Sequence, residues 1–120
     1  MTVRPEMYRY HNGEKAVLPF DDAEYDARLA GLRRIMADTG VDAAVFTSMH
    51  SIAYYSGFLY CAFGRPYGLV VTAADSVTIS AGIDAGQPWR RCHGDNITYT
   101  DWARDNYWRA IRSVLSLIHI

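Results

Sequence analysis

The sequence predicts an α/β domain, a mixed β-sheet flanked by helices, and three observations carry that expectation. Helical patterns alternate with short β-branched apolar runs along the chain, the order that builds layered α/β domains. The first helix has a start and a stop signal written around it, Asp21 and Gly40. Two strand-like runs, Gly68–Thr72 and Ser76–Ala81, are separated only by Ala73, Ala74 and Asp75, the length of a hairpin turn. At 120 residues the chain is a single domain, residues 1–120, long enough for one core.

Residues 1–20 mix polar and aromatic side chains, with a turn signal at His11-Asn12-Gly13, and read as an arm or short edge strand. Asp21 then caps a helix, Glu24 completes a capping box, and Phe20 and Tyr25 form a hydrophobic staple. Tyr25, Leu29, Leu32 and Met36 give that helix one apolar stripe, and Gly40 ends it. Val41–Thr47 is a short buried strand. A short helical segment starts at Ser48 or His50 and ends near Gly57, and a loop runs from Phe58 to Tyr67. In the hairpin that follows, Val77, Ile79 and Ala81 alternate with Thr78 and Ser80, so one face of that strand meets the core. A loop from Asp84 enters a short helix with Pro88 in its first turn, where the missing N–H costs nothing. Ile97–Tyr99 is a further strand, and Asp105 or Asn106 caps a last helix carrying Trp108, Ile111, Val114 and Leu115. That apolar pattern runs into Ile120 with no cap or polar tail, which predicts a chain truncated before a further domain.

Composition excludes several function classes. The 12 basic and 13 acidic residues nearly cancel, so no broad field argues for nucleic acid or an anionic membrane as partner. No apolar run approaches membrane-spanning length, and Met1–Tyr8 has no apolar signal core, which predicts a cytoplasmic protein. Cys61 and Cys92 have no metal-ligand spacing and read as two reduced thiols, with neither metal nor cofactor implied. Nine Tyr and three Trp supply material for ligand walls and interfaces.

The Phe58–Tyr67 loop is the strongest functional signal. Arg65 lies between Gly64, which lets the backbone turn sharply, and Pro66, which holds the preceding residue in extended φ/ψ. Tyr60, Phe63 and Tyr67 surround it. A stiff loop that presents a guanidinium beside aromatic faces suits a small ligand with a carboxylate and an organic cation. No complete catalytic set accompanies it, so the loop reads as half of a site.

These residues resemble a known family. Phe58-Leu-Tyr-Cys-Ala-Phe-Gly-Arg-Pro-Tyr67 is similar to the substrate loop in the N-terminal domain of creatinases (creatine amidinohydrolases), within the pita-bread clan that includes prolidases and aminopeptidases P. Three further stretches agree: residues 42–48, residues 83–91 with their Gly86-Gln87-Pro88-Trp89-Arg90-Arg91 string, and residues 99–107. The likeness runs from about residue 8 to about residue 115, and the last five residues depart from it. It implies a creatinase N-terminal-type domain in a homodimeric hydrolase that converts creatine to sarcosine and urea without a metal or cofactor. The domain would cap substrate in the neighbouring subunit's site and contribute to the dimer. The catalytic residues would lie in a C-terminal domain, so this chain alone would be inactive. By position, Phe63 and Arg65 match the two substrate-contacting residues, Arg65 facing the carboxylate.

Other polar residues read as structural. His50 and His93 lack a nucleophile partner, Glu24, Asp75 and Asp84 suit caps and turns, and Asp101, Arg104 and Asp105 suit helix-end charge pairs. Trp89, Arg90 and Arg91 fit equally a dimer face and a half-buried Trp beside solvated charges. Two other readings stay open: the N-terminal domain of a metal-dependent Xaa-Pro peptidase, and a non-enzymatic oligomerisation module.

Overall fold

The structure, a computed structural model, describes residues 7–9, 14–58, 66–82, 87–100 and 105–116. Among the described residues five strands and four helices follow one another as β1 (Met7–Tyr8), α1 (Asp22–Thr39), β2 (Ala43–Phe46), α2 (Met49–Ser56), β3 (Gly68–Thr72), β4 (Ser76–Ala81), α3 (Gln87–Arg90), β5 (Asp95–Tyr99) and α4 (Asn106–Leu115). The strands form one mixed sheet in the order β1-β5-β4-β3-β2. β2, β3 and β4 are joined antiparallel, β4 and β5 run parallel with Ile79 opposite Ile97, and β1 closes the far edge antiparallel to β5. The α/β expectation and the mixed sheet are what the fold shows.

Local chemistry sets the boundaries. The Asp21 carboxylate accepts from the Glu24 N–H at 2.9 Å, and Gly40 ends α1 in the left-handed conformation at φ 73°. Glu24 does not simply mirror the cap, since its carboxylate accepts from Arg28 Nε one turn on, at 2.9 Å. The Phe20 and Tyr25 rings meet edge-on at 6.2 Å, as a staple should. At the hairpin, Thr72 Oγ1 accepts from the Asp75 N–H, and Arg33 of α1 donates to the carbonyls of Thr72 and Asp75. The turn is thereby fastened to the helix layer.

The sheet carries a core on each face. Val70, Val77, Ile79, Ala81, Ile97 and Tyr99 pack against Tyr107, Ala110, Ile111 and Val114 of α4. On the other face Leu69 and Val71 pack against Leu29 and Met36 of α1, Ile52 of α2, Phe58, Tyr67 and Cys92. β4 therefore departs from the one-sided expectation: Thr78 and Ser80 are as fully buried as Ile79. The reason is position, because β4 lies between β3 and β5 with cover on both faces. The polar side chains are made compatible by Asn96, whose amide donates to Thr78 O, Thr78 Oγ1 and Ser80 Oγ.

Two further details differ from the sequence pattern. Trp108 is 59% exposed, and the buried face of α4 is set instead by Tyr107 and Ala110. Asp105 makes no side-chain cap bond, and its carboxylate accepts from Arg109 Nε at 3.3 Å. The expectations for His11-Asn12-Gly13, Cys61, Asp84, Asp101, Arg104 and the last four residues lie outside the described residues. No helix among the described residues is long and apolar enough to cross a membrane.

Candidate functional site

Phe63 and Arg65, the two substrate-contacting candidates, lie outside the described residues, as does Tyr60. The two stems that flank residues 59–65 are described in detail, and each is fixed by identifiable chemistry.

The first stem is the end of α2. Gly57 stops the helix at φ 73°, and its N–H donates to Ala53 O at 2.9 Å. A Cβ at that position would stand 2.7 Å from the Tyr25 hydroxyl oxygen, so glycine is required by space as well as by φ. Ser56 is fully buried; its hydroxyl donates to Ile52 O and accepts from the Phe58 N–H. The Phe58 ring then meets Tyr67 of the second stem edge-on, 5.8 Å between centroids and 85° apart. Both rings are buried.

The second stem is Pro66-Tyr67-Gly68, which leads into β3. Two tyrosine hydroxyls reach it from the α4 side of the sheet. Tyr99 donates to Pro66 O at 2.5 Å, and Tyr107 donates to Tyr67 O at 3.1 Å. The two rings support each other edge-on at 5.4 Å. Burial pushes the Tyr107 phenol up from 10.0, so the hydroxyl keeps its proton further into the alkaline range than a free phenol does. A Cβ on Gly68 would stand 2.8 Å from that hydroxyl oxygen, so the bare backbone there makes room for the Tyr107 tip. Sequence reasoning placed Tyr99 in a strand and gave Tyr107 no role. The available signal was chemical: a tyrosine on a core-facing position must find a partner for its hydroxyl.

The other candidates fall into structural roles. The His93 ring stacks on Tyr25 at 5.5 Å, with its nitrogens 3.1 Å from Asp22 and 2.7 Å from Asp26. It ties the segment before β5 to the first turn of α1. His50 is exposed. Lys15 lies 4.3 Å from the Trp89 ring centroid and donates to the carbonyls of Trp89, Cys92 and Gly94. Arg90 donates to Glu14 O and its own carbonyl accepts from the Ala16 N–H. The Trp89-Arg90 pair thus anchors the segment that precedes α1. Cys92 is buried and free, and burial pushes its thiol up from 9.0. A cavity of about 580 Å³ opens between residues 15–22 and Cys92-His93-Gly94. Among the described residues no group of three or more His, Cys, Asp or Glu side chains could hold a metal.

Comparison with known proteins gives a consistent picture. The profile of the family described as "Creatinase/Prolidase N-terminal domain" matches residues 28–116. The chain is 52% identical over 106 residues to a creatinase from Bacillus sp. (strain B-0618), covering 88% of this chain and 26% of that protein. It therefore spans about a quarter of the length of that curated relative. Among solved structures, a dipeptidase from Mycobacterium ulcerans superposes with a TM-score of 0.68 at 18% identity, covering 81% of this chain and 27% of that one. The N-terminal domain of an Xaa-Pro dipeptidase from Lactobacillus brevis gives 0.65 at 18% identity over 78% and 69% of the two chains. The corresponding domain of an X-Pro dipeptidase from Streptococcus pyogenes gives 0.63 at 21% identity over 73% and 66%. At these identities the structural likeness speaks to the fold.

Proposed function

The chain belongs to the creatinase/prolidase N-terminal domain family, and from that membership we propose that it is the substrate-capping and dimerisation domain of a creatinase-like amidinohydrolase. The observation that carries the choice of chemistry is the 52% identity to a creatinase over 88% of the chain. The complete enzyme would cleave creatine with water to sarcosine and urea in a cytoplasmic homodimer. A base supplied outside this chain activates water against the guanidinium carbon, the C–N bond breaks, and the leaving nitrogen of sarcosine takes up a proton. Phe63 and Arg65 bind substrate, Phe63 as a wall and Arg65 as the partner of the creatine carboxylate. The rigid stems support this role, because a charge-assisted pair orients substrate only if its cation is held in place.

A second reading has one observation in its favour, the resemblance of the fold to Xaa-Pro dipeptidase domains. It assigns the domain to a metal-dependent peptidase. Assaying the complete enzyme for urea release from creatine and for hydrolysis of an Xaa-Pro dipeptide, each with and without a chelator, separates the two. Chelator-insensitive urea release supports the amidinohydrolase. Chelator-sensitive dipeptide cleavage with no urea would overturn it.

A further inference from the structure

We propose that the turn from Trp89 to Gly94 is a primary-ammonium site, filled in this chain by its own Lys15, and that this contact pins residues 14–20 to the domain. The Lys15 ammonium donates to Trp89 O at 2.7 Å, to Gly94 O at 2.8 Å and to Cys92 O at 3.0 Å. An alkylammonium carries three N–H donors and no acceptor, so these carbonyls use every donor it has. The Trp89 ring centroid lies 4.3 Å from the same nitrogen and gives the cation an aromatic face. Converging carbonyls beside a ring form a shell for a compact ammonium. A guanidinium spreads its donors in one plane and does not match it. A quaternary ammonium has no N–H to give.

The turn takes its shape from contacts that do not involve Lys15. The Arg91 N–H donates to Pro88 O at 3.2 Å, and the His93 N–H donates to Ser56 O of α2 at 2.6 Å. The His93 ring lies between Asp22 and Asp26 of α1. Gly94 has φ 103°, and a Cβ there would stand 2.6 Å from Ser76 O, so only glycine closes the turn in this way. Beside the carbonyls, the buried Cys92 sulfur lies 3.6 Å from Trp89 O and 3.9 Å from Gly94 O. The body of the domain therefore forms the site, and Lys15 enters it as a ligand from a segment that is neither helix nor strand. On either side of the ammonium, Arg90 Nε donates to Glu14 O and the Ala16 N–H donates to Arg90 O. Beyond them the segment lines the cavity of about 580 Å³, with Val17 fully exposed.

The test is amide hydrogen exchange, read segment by segment in the complete enzyme, for Lys15→Ala and Lys15→Met with and without n-propylammonium. Lys15→Ala deletes the atoms that n-propylammonium returns. Exchange in residues 14–20 is expected to rise about tenfold in both variants, with β3 and β4 at the parent rate. Added n-propylammonium should bring Lys15→Ala back to within about twofold of the parent, and the recovery should saturate. Lys15→Met, whose side chain fills the space, should not recover. Tetramethylammonium at the same concentration carries the charge without the donors and should restore nothing. A parent rate in Lys15→Ala overturns the pin. Failure of n-propylammonium to restore it, or equal recovery with tetramethylammonium, overturns the ammonium site. If Lys15→Ala does not fold, Lys15→Arg decides the proposal. It keeps the charge but not the donor geometry, so exchange in residues 14–20 should still quicken, and a parent rate there would overturn the proposal.

Discussion

The hydroxyl of Tyr107 passes 2.8 Å from the point where a side chain on Gly68 would begin, with the Phe46 carbonyl 3.2 Å away on another side. Gly68→Ala must therefore displace either a braced aromatic ring or a paired strand. A destabilisation of about 1–3 kcal/mol is expected from overpacking of this kind. Thermal or urea denaturation measures it, and adding Tyr107→Phe, which removes the clashing oxygen, should recover part of the loss.

Gly57 is a sharper case, because strain and space act together. Its φ is 73°, and a Cβ would stand 2.7 Å from the Tyr25 hydroxyl oxygen and 3.1 Å from Leu18. Gly57→Ala should cost more than Asp21→Ala, which removes only the single side-chain cap of α1 at about 1 kcal/mol. Parallel denaturation curves for the two variants give the order.

Alkaline stability follows from two buried acids. Cys92 is pushed up from 9.0, first by burial, and Tyr107 is pushed up from 10.0, also by burial. Each holds its proton more tightly in the folded chain than in the unfolded one. Their contribution is thus fully present below the unfolded values and is lost as pH rises through the folded ones. Denaturation midpoints should fall above about pH 9, where an unfolded thiol begins to ionise, and Cys92→Ala should flatten the early part of that fall.

Much of the fold was legible because local chemistry and tertiary position agree. Asp21, Glu24 and Gly40 fix the ends of α1 by bonds within a few residues, and the hairpin of β3 and β4 needs only Ala73, Ala74 and Asp75 to close. What escaped depended on neighbours distant in sequence. Thr78 and Ser80 look solvent-facing by alternation, yet Asn96 of the parallel strand satisfies them in a buried layer. Of the apolar residues named on α4, Ile111 and Val114 are buried while Trp108 is exposed, and Tyr107 beside it lies inward with its hydroxyl donating to Tyr67 O. The reading of Phe63 and Arg65 falls on residues outside those described, whereas the stems on either side escaped the sequence because they are built with Tyr25, Tyr99 and Tyr107 from other elements.

The division of labour within the proposed enzyme makes its own prediction. The proposed catalytic base lies outside this chain, which spans about a quarter of the length of its curated relative. The 120-residue chain by itself should release no urea from creatine above the uncatalysed rate. A colorimetric urea assay on the purified chain checks this.

The central claim is that Arg65 holds the substrate carboxylate, and one kinetic comparison tests it most directly. Creatine KM is measured for the complete enzyme and for its Arg65→Ala variant. Loss of a charge-assisted pair of about 1.5–3 kcal/mol should raise KM at least tenfold, with a smaller fall in kcat if positioning also suffers. A KM equal to that of the parent enzyme would contradict the account.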